Sequence, residues 1–567
     1  MALWKFLLLH GASLTSGAIL NPQEAAGKTY DYVIIGGGTS GLTVGDRLSK
    51  SGKHSVLVID YGYFGQTTYN ITSAPSPGLR NRTFPVDIGC VVGGSSAING
   101  MVFQRGNAKD YNIWDELARG KNTWNWDSLL GYFKKAVQLM PPKPEIPADF
   151  NLKYDMKYWG SSFTTNHTIF ATYTNFINPS IEPMYRVFNA VPGIDTPEDG
   201  GSGKTGMVYY MTSTNPYNGA RSYSRTGHWD NLNRDNYDLL TGTRVNNIIF
   251  KGNTAVGVRI TPRNTTLSSI ITAQKEVILA AGSIYTPQIL QLSGIGPVLL
   301  LKRAKIPVKV DLPGVGANFQ DHSFLPEVSF RFSTPPPIPP HLLNQSPPNN
   351  LGRTSLGLSL PLRTISPTNF SPLAARFASQ HPSAFLLRDT HPTIIAGYRA
   401  QQALYAREML RSDFSAIRFT LTGTPSFQPI TIHPVSRGTV LIDPEAPEGE
   451  PIVDYRAASN PIDVEIAVEG IKFLRRAFST GELAGYNATE VVPGRELDSD
   501  EKLGEWVRMV SVPSVWGGLV DAKLRVYGVK QLSVVDASIF ATIVAGTAGM
   551  SVYAVAEKAA DLIKDRA

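Results

Sequence analysis

The stretch from residue 30 to residue 60 constrains this chain more than any other. Tyr32-Val33-Ile34-Ile35 is a β-branched apolar run leading into Gly36-Gly37-Gly38-Thr39-Ser40-Gly41, a G-x-G-x-x-G turn, after which Leu42 and Val44 open a helical stretch. A second apolar run, Val56-Leu57-Val58-Ile59, ends at Asp60, 19 residues beyond Gly41. The order predicts strand, tight turn, helix and strand, the opening unit of a dinucleotide-binding α/β domain. Gly36 makes the turn, Gly38 lets a pyrophosphate approach the backbone, and Gly41 lets helix and strand pack closely. The first turn of the helix, at Thr39 and Ser40, offers unpaired N–H groups and partial positive charge to phosphate, while Asp60 can accept a ribose hydroxyl. An acid at that position disfavours a ribose 2′-phosphate and hence NADP. NAD and FAD both remain open on this unit alone.

Composition narrows the rest. A chain of 567 residues, 42% hydrophobic and 17% charged, suits a large globular protein of two or three domains. Its single cysteine, Cys90, forbids an internal disulfide and any Cys-based zinc or iron–sulfur site, so no metal is expected. The net charge of +7 is thinly spread, with no Lys/Arg run interleaved with aromatics, which argues against nucleic acid as a partner. Residues 1–20 read as a signal peptide: Lys5 precedes Phe6-Leu7-Leu8-Leu9, and Ser16-Gly17-Ala18 is a small-x-small pattern, although His10 interrupts the apolar core. Entry into the secretory pathway is the corresponding expectation, and a cytoplasmic protein the alternative. Seven Asn-x-Ser/Thr sites, at Asn70, Asn81, Asn166, Asn264, Asn344, Asn369 and Asn487, are compatible with it. No later stretch is apolar for long enough to anchor the chain in a bilayer.

Five further motifs occur in order. Gly89-Cys90-Val91-Val92-Gly93-Gly94-Ser95-Ser96-Ala97-Ile98-Asn99-Gly100 is followed by Arg105-Gly106 and Asp110-Tyr111. Gly282-Ser283-Ile284-Tyr285-Thr286-Pro287 runs on to Gly294-Ile295-Gly296-Pro297, and Leu312-Pro313-Gly314-Val315-Gly316-Ala317-Asn318 on to Asp321-His322. His433-Pro434-Val435-Ser436-Arg437-Gly438-Thr439 and Val534-Val535-Asp536-Ala537-Ser538 complete the set. In these residues the chain resembles the glucose-methanol-choline (GMC) oxidoreductases over nearly its whole length. The resemblance implies FAD, and an α/β fold, α+β overall. A Rossmann-type FAD-binding domain would be assembled from discontinuous segments, 28–150, 200–325 and 500–567. A substrate-binding domain with an antiparallel sheet would take 151–199 and 326–499, with a Pro-rich loop at 334–350. It also implies that Gly93, Gly94, Ser95 and Asn99 lie by the cofactor, Val245 by the adenine, and Asp536 and Ala537 by the diphosphate. Turn and cap formation is the competing role for Ser95 and Asn99. Val552 to Ile563 reads as an Ala-rich amphipathic helix.

The family pattern breaks where a base is needed. Removing a hydroxyl proton while hydride leaves carbon suits a neutral imidazole. By resemblance that base is the His of a His-Pro-x-Gly-Thr segment, with a His or Asn partner before the last helix. Here the first position reads Ser511-Val512-Pro513-Ser514-Val515-Trp516-Gly517-Gly518, as if the block bearing the His were missing after Trp516. Thr547 stands at the partner position, and its hydroxyl lacks a suitable pKa. Cys90 replaces an Arg or Lys, and reads as a small buried residue. The catalytic residues are therefore unknown from sequence, with His322 the weak candidate and hydrogen bonding in a turn its competing role. Three readings stay open: an FAD-dependent oxidoreductase of a small organic metabolite with altered catalytic residues, a non-redox cyclase, dehydratase or lyase that keeps FAD structurally, and an inactive homologue or gene-model error. Family habit suggests fungal secondary metabolism. Oligomeric state is not legible.

Overall fold

The computed structural model describes residues 18–65, 67–160, 169–343, 355–421, 423–513 and 523–566. Two large sheets carry the architecture, as expected of an α/β Rossmann-type domain beside an antiparallel substrate domain.

The first sheet has a parallel centre in the order Tyr237–Leu240, Val56–Ile59, Thr29–Ile35, Ser269–Leu279, Leu532–Val534. Val56–Ile59 is buried at every residue and Val33, Ile34 and Ile35 nearly so, which is why these runs read as continuous apolar stretches. Helices cover both faces of such strands, so neither face alternates with polar residues. The strands come from far apart in sequence, so the expected discontinuous assembly is what closes the sheet. An antiparallel ribbon, Thr243–Lys251 with Thr254–Pro262, pairs with the outer half of Ser269–Leu279.

The second sheet runs Ala488–Val492, Val328–Phe332, Ser426–Thr431, Ser415–Leu421, Ser355–Pro361, Gly206–Thr212, Ile169–Thr172, Val137–Met140. Its pairs are antiparallel except Val137–Met140 with Ile169–Thr172. Four of its strands, Val102–Phe103, Val137–Met140, Gly206–Thr212 and Ser323–Phe324, lie in stretches that the sequence assigns to the cofactor domain. Gly206–Thr212 is buried at all seven residues, so no alternation marks which sheet it joins.

Two other expectations change. The last helix, Ala548–Lys564, is amphipathic in sequence but buried without interruption from Met550 to Ala560 between the helices Thr39–Ser49 and Trp126–Ala136, so its polar side is enclosed as well. Alanine makes this possible, because short side chains let neighbouring helices approach on several sides. The expected leader reaches residue 20, whereas Ile19–Leu20 pairs in parallel with Leu239 and Leu240, and Leu20 is buried. Residues 1–17 lie outside the described residues. Among the described residues no helix is long and apolar enough to cross a membrane, and no group of three or more His, Cys, Asp or Glu could hold a metal ion.

Candidate active site

The glycine-rich turn, the Gly89–Gly100 loop and the Asp536 loop meet at one corner of the parallel sheet. The helix Thr39–Ser49 starts at Gly38, whose N-terminus has no side-chain cap. A Cβ on Gly41 would sit 1.8 Å from the Gly36 carbonyl oxygen, so only glycine permits the contact between helix and turn. Gly36 adopts φ +105° against the Ala280 carbonyl. Gly93 donates its N–H to the Gly37 carbonyl at 2.8 Å, and a Cβ on Gly94 would lie 2.8 Å from the Gly38 Cα. Two backbones thus converge without side chains between them.

Carboxylates frame this corner. Asp60 accepts the N–H groups of Gly37 at 2.6 Å and Gly62 at 2.7 Å, and its own carbonyl accepts from Thr243 at 3.0 Å, drawing the strand of Val245 alongside. Burial pushes the Asp60 carboxyl up to about 6 despite those two donors. Asp536 accepts from Gly282 N–H at 2.9 Å, the Thr286 hydroxyl at 2.6 Å and Ser538 N–H at 2.9 Å, and is raised by burial. It thereby sits at the N-terminus of the helix Gly282–Leu292, with buried Ala537 behind it. Val245 is buried in the apolar cluster of the same sheet. The buried hydroxyls of Ser40 and Ser538 have no hydrogen-bond partner within the protein. Uncapped helix N–H groups, orphaned hydroxyls and a side-chain-free slot fit a dinucleotide such as FAD.

Other predicted residues are spent locally. Ser96 donates to the Gly93 carbonyl and meets Ser224 Oγ at 2.9 Å, leaving Ser95 as the exposed hydroxyl of the pair, with Oγ accepting from Gly89 N–H at 3.2 Å. Asn99 Oδ1 accepts from Met101 N–H at 3.0 Å and from Arg221 at 2.7 Å, a turn-holding arrangement. Cys90 is buried, and burial raises its thiol.

The loop 541–547 is stapled from behind. Asn318, Gln320 and Gln401 donate to the Ala541 carbonyl at 3.1, 3.3 and 3.2 Å, Trp114 to that of Thr542 at 2.8 Å, and His322 Nε2 to that of Val544 at 3.0 Å. Asp110 Oδ2 accepts from Ala545 N–H at 2.7 Å. Thr547 Oγ donates to the Val102 carbonyl at 2.8 Å and accepts from Gln104 N–H at 3.2 Å. Burial, with the nearby charges of Arg418 and His433, lowers His322 to about 3, so its ring is neutral. His433 lies between Asp110 Oδ1 at 2.9 Å and the Ser415 carbonyl at 2.7 Å, so both of its nitrogens face acceptors. Arg437 is likewise a structural brace, bonded to Asn318, Gln401 and the carbonyls of Pro434 and Ser436. Trp516 and the gap beside it lie outside the described residues.

Sequence reasoning missed the amide cluster on Ala541 and the Asp110–His433 pair. Asn318, Asp110 and His433 lay in quoted motifs without an assigned role, and nothing in the sequence marks Gln401. An open groove of about 510 Å³ is lined by Glu327, Phe330, Phe332, Pro335, Pro336 and Ile338, among others. It uses the start of the Pro-rich loop but none of the predicted cofactor residues.

Comparison with known proteins agrees with this geometry. The chain is 32% identical to "Dehydrogenase xptC" of Emericella nidulans, over 99% of this chain and 97% of the relative. An FAD-dependent oxidoreductase of Chaetomium thermophilum superposes with a TM-score of 0.87 at 30% identity, covering 95% of this chain and 99% of that one. A fungal aryl-alcohol oxidase does so with a TM-score of 0.86 at 30% identity and the same coverage. Residues 30–324 and 434–556 match the N- and C-terminal family models of the GMC oxidoreductases, and this chain belongs to that family of FAD-dependent oxidoreductases.

Proposed function

We propose that the protein oxidises a small organic metabolite, in fungal secondary metabolism, at an FAD site that works without the family's imidazole base. FAD, when bound, supplies the acceptor of the two electrons. The observation that carries this reading is the commitment of loop 541–547: the Thr547 hydroxyl is bonded to the Val102 carbonyl, and His322 and His433 hold backbone and carboxylate partners. A substrate acidic enough to bind as its anion, such as a phenol bearing electron-withdrawing groups or an acidic enol, needs no such base, because its proton has gone to solvent before hydride leaves. The chain's own contribution is then to position that substrate and to keep water from the slot. Entry into the secretory pathway belongs to this proposal. It is supported by the apolar run at 6–9 and by exposed Asn70, Asn81, Asn264 and Asn487.

Anaerobic mixing of the yellow holoprotein with phenolic and enolic compounds, and with aryl alcohols, tests the reading. Bleaching of the flavin's visible band by the ionisable compounds is expected. Turnover of an enolic polyketide-like compound without bleaching, by cyclisation or dehydration, would replace it with the non-redox alternative.

A further inference from the structure

The second sheet has two different faces. Ile417, Phe419, Leu356, Leu358 and Leu360 point to the side of the helix Pro461–Ser479, where Gly470 allows Ile417 and Phe419 to approach. The opposite face carries Arg418, with Ser359 and Ile430 directly across from it on the neighbouring strands. Tyr210 lies on that face, flat over Gly357, where an added Cβ would be 1.7 Å from its hydroxyl. The Arg418 guanidinium carbon is 5.6 Å from the Tyr210 ring centre.

This part of the sheet is joined to loop 541–547. Thr212, two residues beyond Tyr210 on the same strand, pairs with Val102, whose backbone carbonyl accepts from Thr547, which places the loop here. His322, which holds the Val544 carbonyl, is close enough to Arg418 to feel its charge.

Arg418 is 6% exposed, and its Nε and Nη1 have no hydrogen-bond partner. No carboxylate is paired with it among the described residues. Other arginines here are served: buried Arg437 by two amide side chains and two carbonyls, and half-buried Arg475 by Glu490 and two carbonyls. Arg105 also keeps unpartnered nitrogens, but it bonds two carbonyls and lies between the rings of Phe133 and Trp159. A guanidinium stays charged at any ordinary pH, and burying it without oxygen partners is costly. A ligand that brings the oxygens removes that cost.

We propose that Arg418 is the anion-binding residue of the substrate site, taking the carboxylate or phenolate oxygen of an aromatic compound whose ring rests beside Tyr210. This rests on the reading of the site as one for an ionisable substrate, and specifies the group that would hold it. Charge-assisted N–H to oxygen bonds are the strong ones, so the preference for anion over neutral analogue is large.

Calorimetry on the FAD-loaded protein tests this with benzoate against benzamide, and with ionised 4-cyanophenol against 4-cyanoanisole. At least one anion is expected to bind about tenfold or more tightly than its neutral partner. The benzoate and phenol arms separate a carboxylate site from a phenolate site. Arg418→Met should erase the preference and Arg418→Lys should retain part of it, with flavin content unchanged in both. Equal binding of anion and neutral compound by the unmodified protein overturns the proposal, and needs no variant to fold. So does a preference that survives in Arg418→Met. Flavin bleaching, followed on the same preparations, keeps the two readings apart: bleaching by neutral alcohols without anion preference sinks the role of Arg418 and leaves an oxidoreductase, whereas Arg418-dependent anion binding without bleaching by any ionisable substrate does the reverse.

Discussion

The corner at Gly36–Gly41 and the loop 541–547 use their polar groups in opposite ways. At the corner the backbone does the binding: glycines bring Gly37, Gly38, Gly93 and Gly94 together, and two carboxylates, Asp60 and Asp536, organise the N–H groups around them. At the loop, side chains bind the backbone instead, with amides, an indole and an imidazole all donating to carbonyls of 541–544. The contrast teaches that this chain keeps every steric requirement for holding a dinucleotide. Around the loop, groups that could move a proton are turned into mechanical supports.

The largest effect is expected where the corner tolerates nothing. Gly41→Ala places a methyl group 1.8 Å from the Gly36 oxygen, a clash that costs about 3 kcal/mol or more and displaces the helix start. The variant should purify colourless or not at all; a yellow protein of normal melting temperature would show that the corner yields more than the contrast allows.

A middle-sized effect sharpens the loop side. Because the His322 ring is held near 3 instead of 6.5, protons bind the unfolded chain more readily than the folded one. Its contribution to stability is therefore intact above about pH 6.5 and is lost progressively as pH falls toward 3, on the order of 5 kcal/mol at the limit. His322→Gln, which keeps a donor for the Val544 carbonyl, should flatten thermal melting profiles between pH 7 and 4 (roughly the span over which an unperturbed imidazole titrates). An unchanged pH profile would mean that this ring is not the buried neutral brace described here.

The smallest effect belongs to Thr547→Val. Losing the hydroxyl bond to Val102 should cost about 1 kcal/mol in melting experiments while the rate of flavin reduction by any active substrate stays as in the unmodified protein. A collapse of that rate would return Thr547 to the chemistry.

Much of the corner was legible because its requirements are local. Strand, turn, helix and acid follow one another within some thirty residues, and a glycine in such a turn has a steric meaning that can be read without coordinates. The likeness to the GMC family extended that reading to Gly93, Gly94, Asp536 and Ala537, which come from distant parts of the chain. The last helix is amphipathic in sequence as expected, but packing against two other helices buries its polar side too, Glu557 and Lys558 included, and the membership of Gly206–Thr212 in the second sheet was hidden by burial on both faces.

The sequence by itself pointed to a dinucleotide corner and raised the expectation of a changed catalytic site, since both rest on residue types at fixed spacing. Only the tertiary structure decided what the remaining polar groups are doing. His322, Asp110 and Gln401 reach the loop 541–547 across more than one hundred residues of chain, and Arg418 is left without oxygens beside them. Whether a buried polar group is satisfied depends on which segments packing brings within about 3 Å of it, and no spacing along the chain encodes that distance.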